Sequence, residues 1–146
     1  MITIYTDGSC IGNPGNGGWA FIILNSKNEK IIKYGYEKNT TNNRMELIAT
    51  INAIKLLKEE SKCNIITDSN YVKEGINSWI KNWKKNNWLT ANKKDVKNKD
   101  LWIKLDKYIN NKQINWIWVK GHSSDEINNM VDEIARKAAK ELIESL

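Results

Sequence analysis

Cysteine, histidine and arginine are scarce in this chain of 146 residues, and each scarcity removes a class of function. The two cysteines, Cys10 and Cys63, form neither a C-x-x-C pair nor a zinc-ligand spacing. With a single histidine, His122, there is no Cys/His set to hold zinc. Cys63 fits a small buried residue, whereas Cys10 lies in a glycine-rich stretch and is expected to be exposed. No apolar run approaches the roughly 20 residues of a membrane-spanning helix, so no membrane partner is expected. No linker, internal repeat or low-complexity block divides the chain, and the expectation is one domain over 1–146. A domain of this size buries a core without disulfides or a structural metal. The N-terminus lacks a basic n-region, an apolar h-region and a cleavage site, which points to a cytoplasmic protein.

Positive charge, by contrast, is in excess. Lys and Arg number 23 against 17 Asp and Glu, a formal net charge of +6. That balance favours an anionic partner. Arginine occurs only at Arg44 and Arg136, so almost all of the charge is lysine. Lysine acts as a mobile point charge, while arginine is the usual bidentate reader of guanine edges. A nucleic acid would therefore be held by backbone and shape more than by sequence.

The periodicities predict an α/β chain. Residues 2–6 alternate as a strand. Residues 8–18 read as a turn-rich loop. Strands follow over 19–24 and 31–36, joined closely enough to form an antiparallel meander with the first. Residues 42–58 carry Leu47, Ile48, Ile51, Ile54 and Leu57 at helical spacing. A short strand is expected over 64–67, then one or two short helices over 70–88, another helix near 100–110 and a last strand over 114–119. The last helix is expected over 126–146, with the apolar stripe Ile127, Met130, Val131, Ile134, Ala138, Leu142 and Ile143. Ser123 and Asp125 both fit as its cap. A helix between strands implies a parallel crossover, and the expected result is a mixed five-stranded sheet flanked by helices.

Most acidic residues stand in surface-like contexts, but four do not. Asp7 ends the first strand and is followed by Gly8, which lets a ligand approach the backbone. Asp68 ends the short fourth strand, and ligands of open sheets bind beyond the carboxyl ends of parallel strands. Glu46 is expected in the first turn of the first helix, on a face continued by the small residues Ala49 and Ala53. Asp132 lies on the flank of the last helix's stripe. Any one of them alone reads as a cap or a surface residue, so the case rests on the set. Grouped carboxylates repel one another, and no Arg or Lys alternates with them in sequence. All-oxygen ligands point to Mg²⁺ or Mn²⁺. Four carboxylates can hold two such ions about 3.5–4 Å apart, the spacing used for in-line phosphoryl transfer.

The chain resembles the type I, bacterial-type ribonucleases H. The resemblance rests on Thr6-Asp7-Gly8-Ser9-Cys10, Gly12-Asn13-Pro14-Gly15, Thr41-Asn42-Asn43-Arg44-Met45-Glu46-Leu47, Thr67-Asp68-Ser69, Trp79 to Trp88, Trp118-Val119-Lys120-Gly121-His122 and Asp132-Glu133-Ile134-Ala135. They occur in family order and span essentially the whole chain. The resemblance implies an RNase H-like fold with three antiparallel and two parallel strands. It implies a monomeric enzyme that hydrolyses the RNA strand of RNA–DNA hybrids. Asp7, Glu46, Asp68 and Asp132 are then the catalytic carboxylates and the ligands of two Mg²⁺ ions. Asp7 would bridge both, Glu46 and Asp68 would complete one site, and Asp132 the other. One ion would activate water and the other would stabilise the leaving 3′ oxygen, giving a 5′-phosphate and a 3′-hydroxyl. His122, in a loop, would assist proton transfer or product release, since an imidazole can carry protons at neutral pH.

The resemblance also implies how the hybrid is held. Residues 79–99 would form a basic protrusion, with Trp79, Trp83, Lys84 and Lys85 against the duplex and lysines on phosphates. Without the family, the same tryptophans read equally well as core. Gly8, Cys10, Asn13, Asn42, Asn43 and Asn70 match positions that meet RNA 2′-hydroxyls, with Glu46 touching one as well. Thr41 and Asn98 match positions that hold a DNA phosphate. Asn42 also fits as a helix N-cap. Some positions depart from the family pattern: Asn39 stands where Arg is frequent, Asn70 replaces Gln, and 123–130 lacks the usual Pro-Glu-Asn and Glu-Arg pairs. Two alternatives remain, a non-catalytic hybrid-binding module and another nuclease of the same fold, such as a resolvase or a reverse-transcriptase module.

Overall fold

In the computed structural model, residues 1–120 and 125–145 are described. Strand β1 (Ile2–Ile11) runs well past the expected end at residue 6. It pairs antiparallel with β2 (Gly15–Leu24) all the way from Thr3↔Leu24 to Ile11↔Asn16. The glycine-rich stretch is therefore mostly paired strand, and the turn-rich loop shrinks to residues 12–14. The glycines serve packing more than turning. A side chain at Gly8 would run into the backbone of Met45 and Glu46, and one at Gly18 into the backbone of Ala135 and Ala139. These positions let a helix lie directly on each face of the sheet.

Strand β3 (Lys30–Thr40) pairs antiparallel with β2. Helix α1 (Asn42–Lys55) follows at once, and its cap is Thr41, whose Oγ1 accepts the Arg44 N–H at 3.3 Å. Asn42 is thus the first helical residue and not the cap. The helix stops before residue 58 because the chain tightens, with Leu57 N–H donating to the Ile54 carbonyl at 3.0 Å. Strand β4 (Lys62–Thr67) then pairs parallel with β1, and β5 (Gln113–Trp118) parallel with β4. The five-stranded order β3-β2-β1-β4-β5 is the mixed sheet the sequence predicts.

Between β4 and β5 the chain forms α2 (Asn70–Glu74), a π-helical turn (Gly75–Trp79), α3 (Ile80–Lys85) and α4 (Lys99–Ile109). One face of the sheet, with Ile4, Phe21 and Ile65, packs with Leu47, Ile51 and Ile54 of α1 and with Trp102 and Leu105 of α4. The other face, with Tyr5, Ala20 and Ile22, packs with Val131 and Ala135 of α5 (Glu126–Glu141). The buried side of α5 is Asn128, Val131, Ala135, Ala138 and Ala139. Of the expected stripe, Ile127, Met130 and Ile134 are only partly buried. Contact with Gly18 favours small residues, so the alanines turn inward and the larger side chains flank them. Leu142, at φ 51°, is left-handed and ends the helix, which removes Leu142 and Ile143 from the stripe. Asp125 is the cap of α5, while Ser123 lies outside the described residues. Cys63 is buried as expected. Among the described residues no helix is long and apolar enough to cross a membrane.

Candidate active site

Parallel pairing between β1 and β4 stops at Tyr5↔Ile66, yet β1 continues along β2. A gap opens in the sheet where Asp7 stands, so Asp7 ends the β1–β4 ladder without ending its strand. Across the gap, Thr67 Oγ1 accepts the Ser69 N–H and Ser69 Oγ accepts the Val72 N–H, both at 3.1 Å. This pair of short turns delivers Asp68 to the gap and starts α2. The close approach of α1 at Gly8 brings in Glu46, one residue beyond the first turn in which the sequence placed it.

One carboxylate oxygen from each of Asp7, Glu46 and Asp68 lies within 4.8 Å of the others. Asp7 is 4% exposed and Glu46 5%. The Glu46 Oε2 is buried with no hydrogen-bond partner among the described residues. Asp7 accepts the Gly8 N–H at 2.9 Å. Removal from water is the main cause that pushes the Asp7 carboxyl up to about 8, followed by the Asp68 charge and a hydrogen bond with Asp132. Burial, then Asp7 and Asp68, hold the Glu46 carboxyl well above the usual range. A buried acidic trio of this kind binds protons or a cation, because it is not stable as three bare charges. The orphaned Glu46 oxygen and the all-oxygen donor set suit a metal ion.

Asp132 lines the same cleft but stands outside the tight trio. Its Oδ2 pairs with Arg136 one turn on, at 3.1 Å. The sequence shows no cation alternating with the acids, but helical geometry supplies one at i+4.

The cleft encloses about 440 Å³. Of the expected residues it brings together Asp7, Gly8, Asn42, Asn43, Glu46, Asp68, Asn70 and Asp132. It adds Ser9, Ser69 and Tyr71, which the sequence reading did not single out. Ser9 and Ser69 each follow closely on a site aspartate, a usable signal. Tyr71 gave none, since an aromatic in a helix reads as core.

Of the other expected contacts among the described residues, none lines the cleft and most already have partners. Cys10 is half-buried, not exposed, and its Sγ donates to the Thr40 carbonyl at 3.4 Å. It borders a separate groove of about 700 Å³ with Arg136, Lys137 and Lys140. Asn13 is exposed, and its Oδ1 accepts the Asn42 N–H at 2.9 Å, tying the β1–β2 turn to the start of α1. Thr41 caps that helix. Asn98 accepts from Arg44 at 3.2 Å and donates to the Tyr71 hydroxyl at 3.0 Å. Trp79 and Trp83 pack against each other in a tilted arrangement, ring centroids 5.7 Å apart, and both meet Trp102. They are partly buried against the main core, so packing is one of their jobs whatever else they meet. Lys84 pairs with Asp106 at 3.3 Å, whereas Lys85 is exposed in a groove with Asn86 and Asn87. His122 lies outside the described residues.

Comparison with known proteins adds an independent line. A family model described as RNase H matches residues 1–140. The ribonuclease H of Wolbachia sp. subsp. Drosophila simulans is 56% identical over 137 residues, covering 94% of this chain and 94% of that protein. The ribonuclease H of Pseudoalteromonas atlantica is 53% identical over 138 residues, covering 94% and 90%. Among solved structures, LC9-RNase H1, a type 1 RNase H with the type 2 active-site motif, is similar with a TM-score of 0.86. It is 25% identical to this chain, and the match covers 99% of this chain and 74% of that one.

Proposed function

Since this chain belongs to the RNase H family, we propose that its acidic cleft is the active site of a ribonuclease H, which hydrolyses the RNA strand of RNA–DNA hybrids. The observation that carries the proposal is the close trio of buried Asp7 and Glu46 with half-buried Asp68, and its unpartnered Glu46 oxygen. Mg²⁺ fits this donor set, with Mn²⁺ as its substitute. Asp7, Glu46 and Asp68 would hold one ion, and Asp7 with Asp132 a second. Bound there, divalent cations supply the positive charge that sharpens a water nucleophile and steadies the leaving 3′ oxygen, so that a 5′-phosphate and a 3′-hydroxyl result.

The chain's own groups supply the rest. Asp7 and Glu46 sit in low-dielectric surroundings, where a charge and its partner attract strongly. Arg136 holds Asp132 by an i,i+4 pair. Asn42, Asn43 and Asn70 present amides that both donate and accept, a match for a 2′-hydroxyl. Lys85 and its neighbours meet phosphates as point charges. His122 is assigned a share in proton transfer. The remaining assignments are a monomer, a single catalytic domain and a cytoplasmic location.

The test is cleavage of an end-labelled RNA–DNA hybrid with Mg²⁺, beside double-stranded RNA, duplex DNA and the Asp7→Asn variant. Only the RNA strand of the hybrid should be cut, and neither chelator-treated protein nor the variant should cut it. Asp7→Asn should keep or improve hybrid binding, because it removes a negative charge beside phosphates. Binding without cleavage by the wild type, in Mg²⁺ and in Mn²⁺, would replace the enzyme with a hybrid-binding module.

A further inference from the structure

One carboxylate ties together the two elements that carry Asp7 and Asp132. Asp125 precedes the first turn of α5, and its Oδ1 accepts the N–H groups of Ile127 at 2.9 Å and Asn128 at 3.2 Å. That oxygen alone satisfies the cap. The other, Oδ2, accepts the phenolic O–H of Tyr5 at 3.0 Å, across 120 residues of sequence. Tyr5 is 8% exposed and packs among Ala20, Ile22, Val131 and Ala135. The second bond is not needed to start a helix. What it adds is a fixed relation between the start of α5 and β1.

The geometry of the two elements gives that relation a use. Tyr5 and Asp7 are two residues apart on a strand and so share a face. Asp125 and Asp132 are seven residues apart, about two turns of helix, and so share a side. The Tyr5–Asp125 bond and the side of the cleft lined by Asp7 and Asp132 therefore lie along one seam between β1 and α5. Further along the same helix, Ala135 and Ala139 rest on Gly18, where no side chain fits. Asp132 stands between these two fixed points. Its ion pair with Arg136 lies within the same helix and does not locate it against the sheet.

On the reading of the cleft as a divalent-cation nuclease site, we propose that Tyr5 and Asp125 are positioning residues for the reaction. Their hydrogen bond sets where Asp132 stands relative to Asp7, and through that the affinity of the cleft for its cations. They touch neither substrate nor reacting atoms.

Tyr5→Phe removes one hydroxyl and keeps the ring in its apolar pocket. Asp125→Ser keeps a good helix cap but is too short to reach Tyr5. The Mg²⁺ concentration for half-maximal cleavage should rise about three- to tenfold in each variant, the loss of one net hydrogen bond. The KM for hybrid at saturating Mg²⁺ should change by less than about twofold, since substrate contacts are untouched. Mn²⁺ affinity measured calorimetrically without substrate should weaken by the same factor as the Mg²⁺ midpoint. The double variant should be no worse than the worse single, because both remove one bond. Wild-type cation affinity in both single variants would overturn the proposal, and so would losses that multiply in the double. If circular dichroism shows Asp125→Ser unfolded, Asp125→Thr, also a helix cap too short to reach Tyr5, takes its place in the same cycle. Should the wild type bind Mn²⁺ but not cut hybrid, the nuclease reading fails while the calorimetric cycle still decides the positioning role.

Discussion

Asp7 and Glu46 are held where a carboxylate is costly to ionise, and this makes the metal-free protein sensitive to pH. In the unfolded chain an aspartate loses its proton near pH ~3.9, whereas folded Asp7 keeps it up to about 8. Between those values the folded state binds more protons than the unfolded one, so stability falls as pH rises. The contribution is complete below the unfolded value and gone above the folded one. In chelator, the Tm should drop by roughly 5 °C or more between pH 5 and pH 8, and Mg²⁺ should restore it at pH 8. Glu46→Gln should flatten that slope, raise metal-free stability at pH 8 and abolish cleavage. A thermal scan in buffers with and without chelator checks all three, and an unchanged slope in Glu46→Gln would refute the account. Asp7 and Asp68 were legible in the sequence because they lie where the β1–β4 pairing runs out, and Glu46 and Asp132 because helical spacing sets them beside the small or apolar faces of α1 and α5. Tyr71 was not, because its place in the cleft depends on how α2 lies against Asn98 and Trp102, where its hydroxyl accepts from both at 3.0 Å.

At the scale of elements, the glycines of β1 and β2 decide how near the helices come. Local chemistry reads Gly8 to Gly18 as a loop. The structure uses the missing side chains for contact with α1 and α5, a tertiary demand that no local pattern reports. The same demand explains why the alanines of α5, and not its isoleucines, face the sheet most squarely. Gly18→Ala should cost about 1–3 kcal/mol by overpacking, seen as a lower urea midpoint, and it should reduce cleavage by displacing the helix that bears Asp132. An unshifted midpoint would mean that α5 is free to move outward. The π-helical turn at Gly75–Trp79 was likewise invisible. Its first residue, Gly75, lies so close to the buried Trp102 that a side chain there would strike the ring.

At the scale of the whole molecule, the mixed five-stranded sheet and its flanking helices were legible, because alternation and helical spacing persist over long stretches and short connections leave few topologies. The net charge of +6 should make hybrid affinity fall steeply with salt. Lys85 is exposed, while Lys84 is partly neutralised by Asp106. Lys85→Ala should weaken binding at low salt and lower the slope of log affinity against log salt by about 1. Lys84→Ala should do less, and fluorescence anisotropy across a salt series separates them. Equal effects would place both lysines on phosphates alike. Finally, the cleft gathers side chains from residue 7 to residue 132, and α5 follows all five strands in chain order. A chain still emerging from the ribosome therefore carries its aspartate from β1 long before the one from α5. Synthesis itself acts as a timer: the cleft has its full set of carboxylates only once α5 has docked on the sheet.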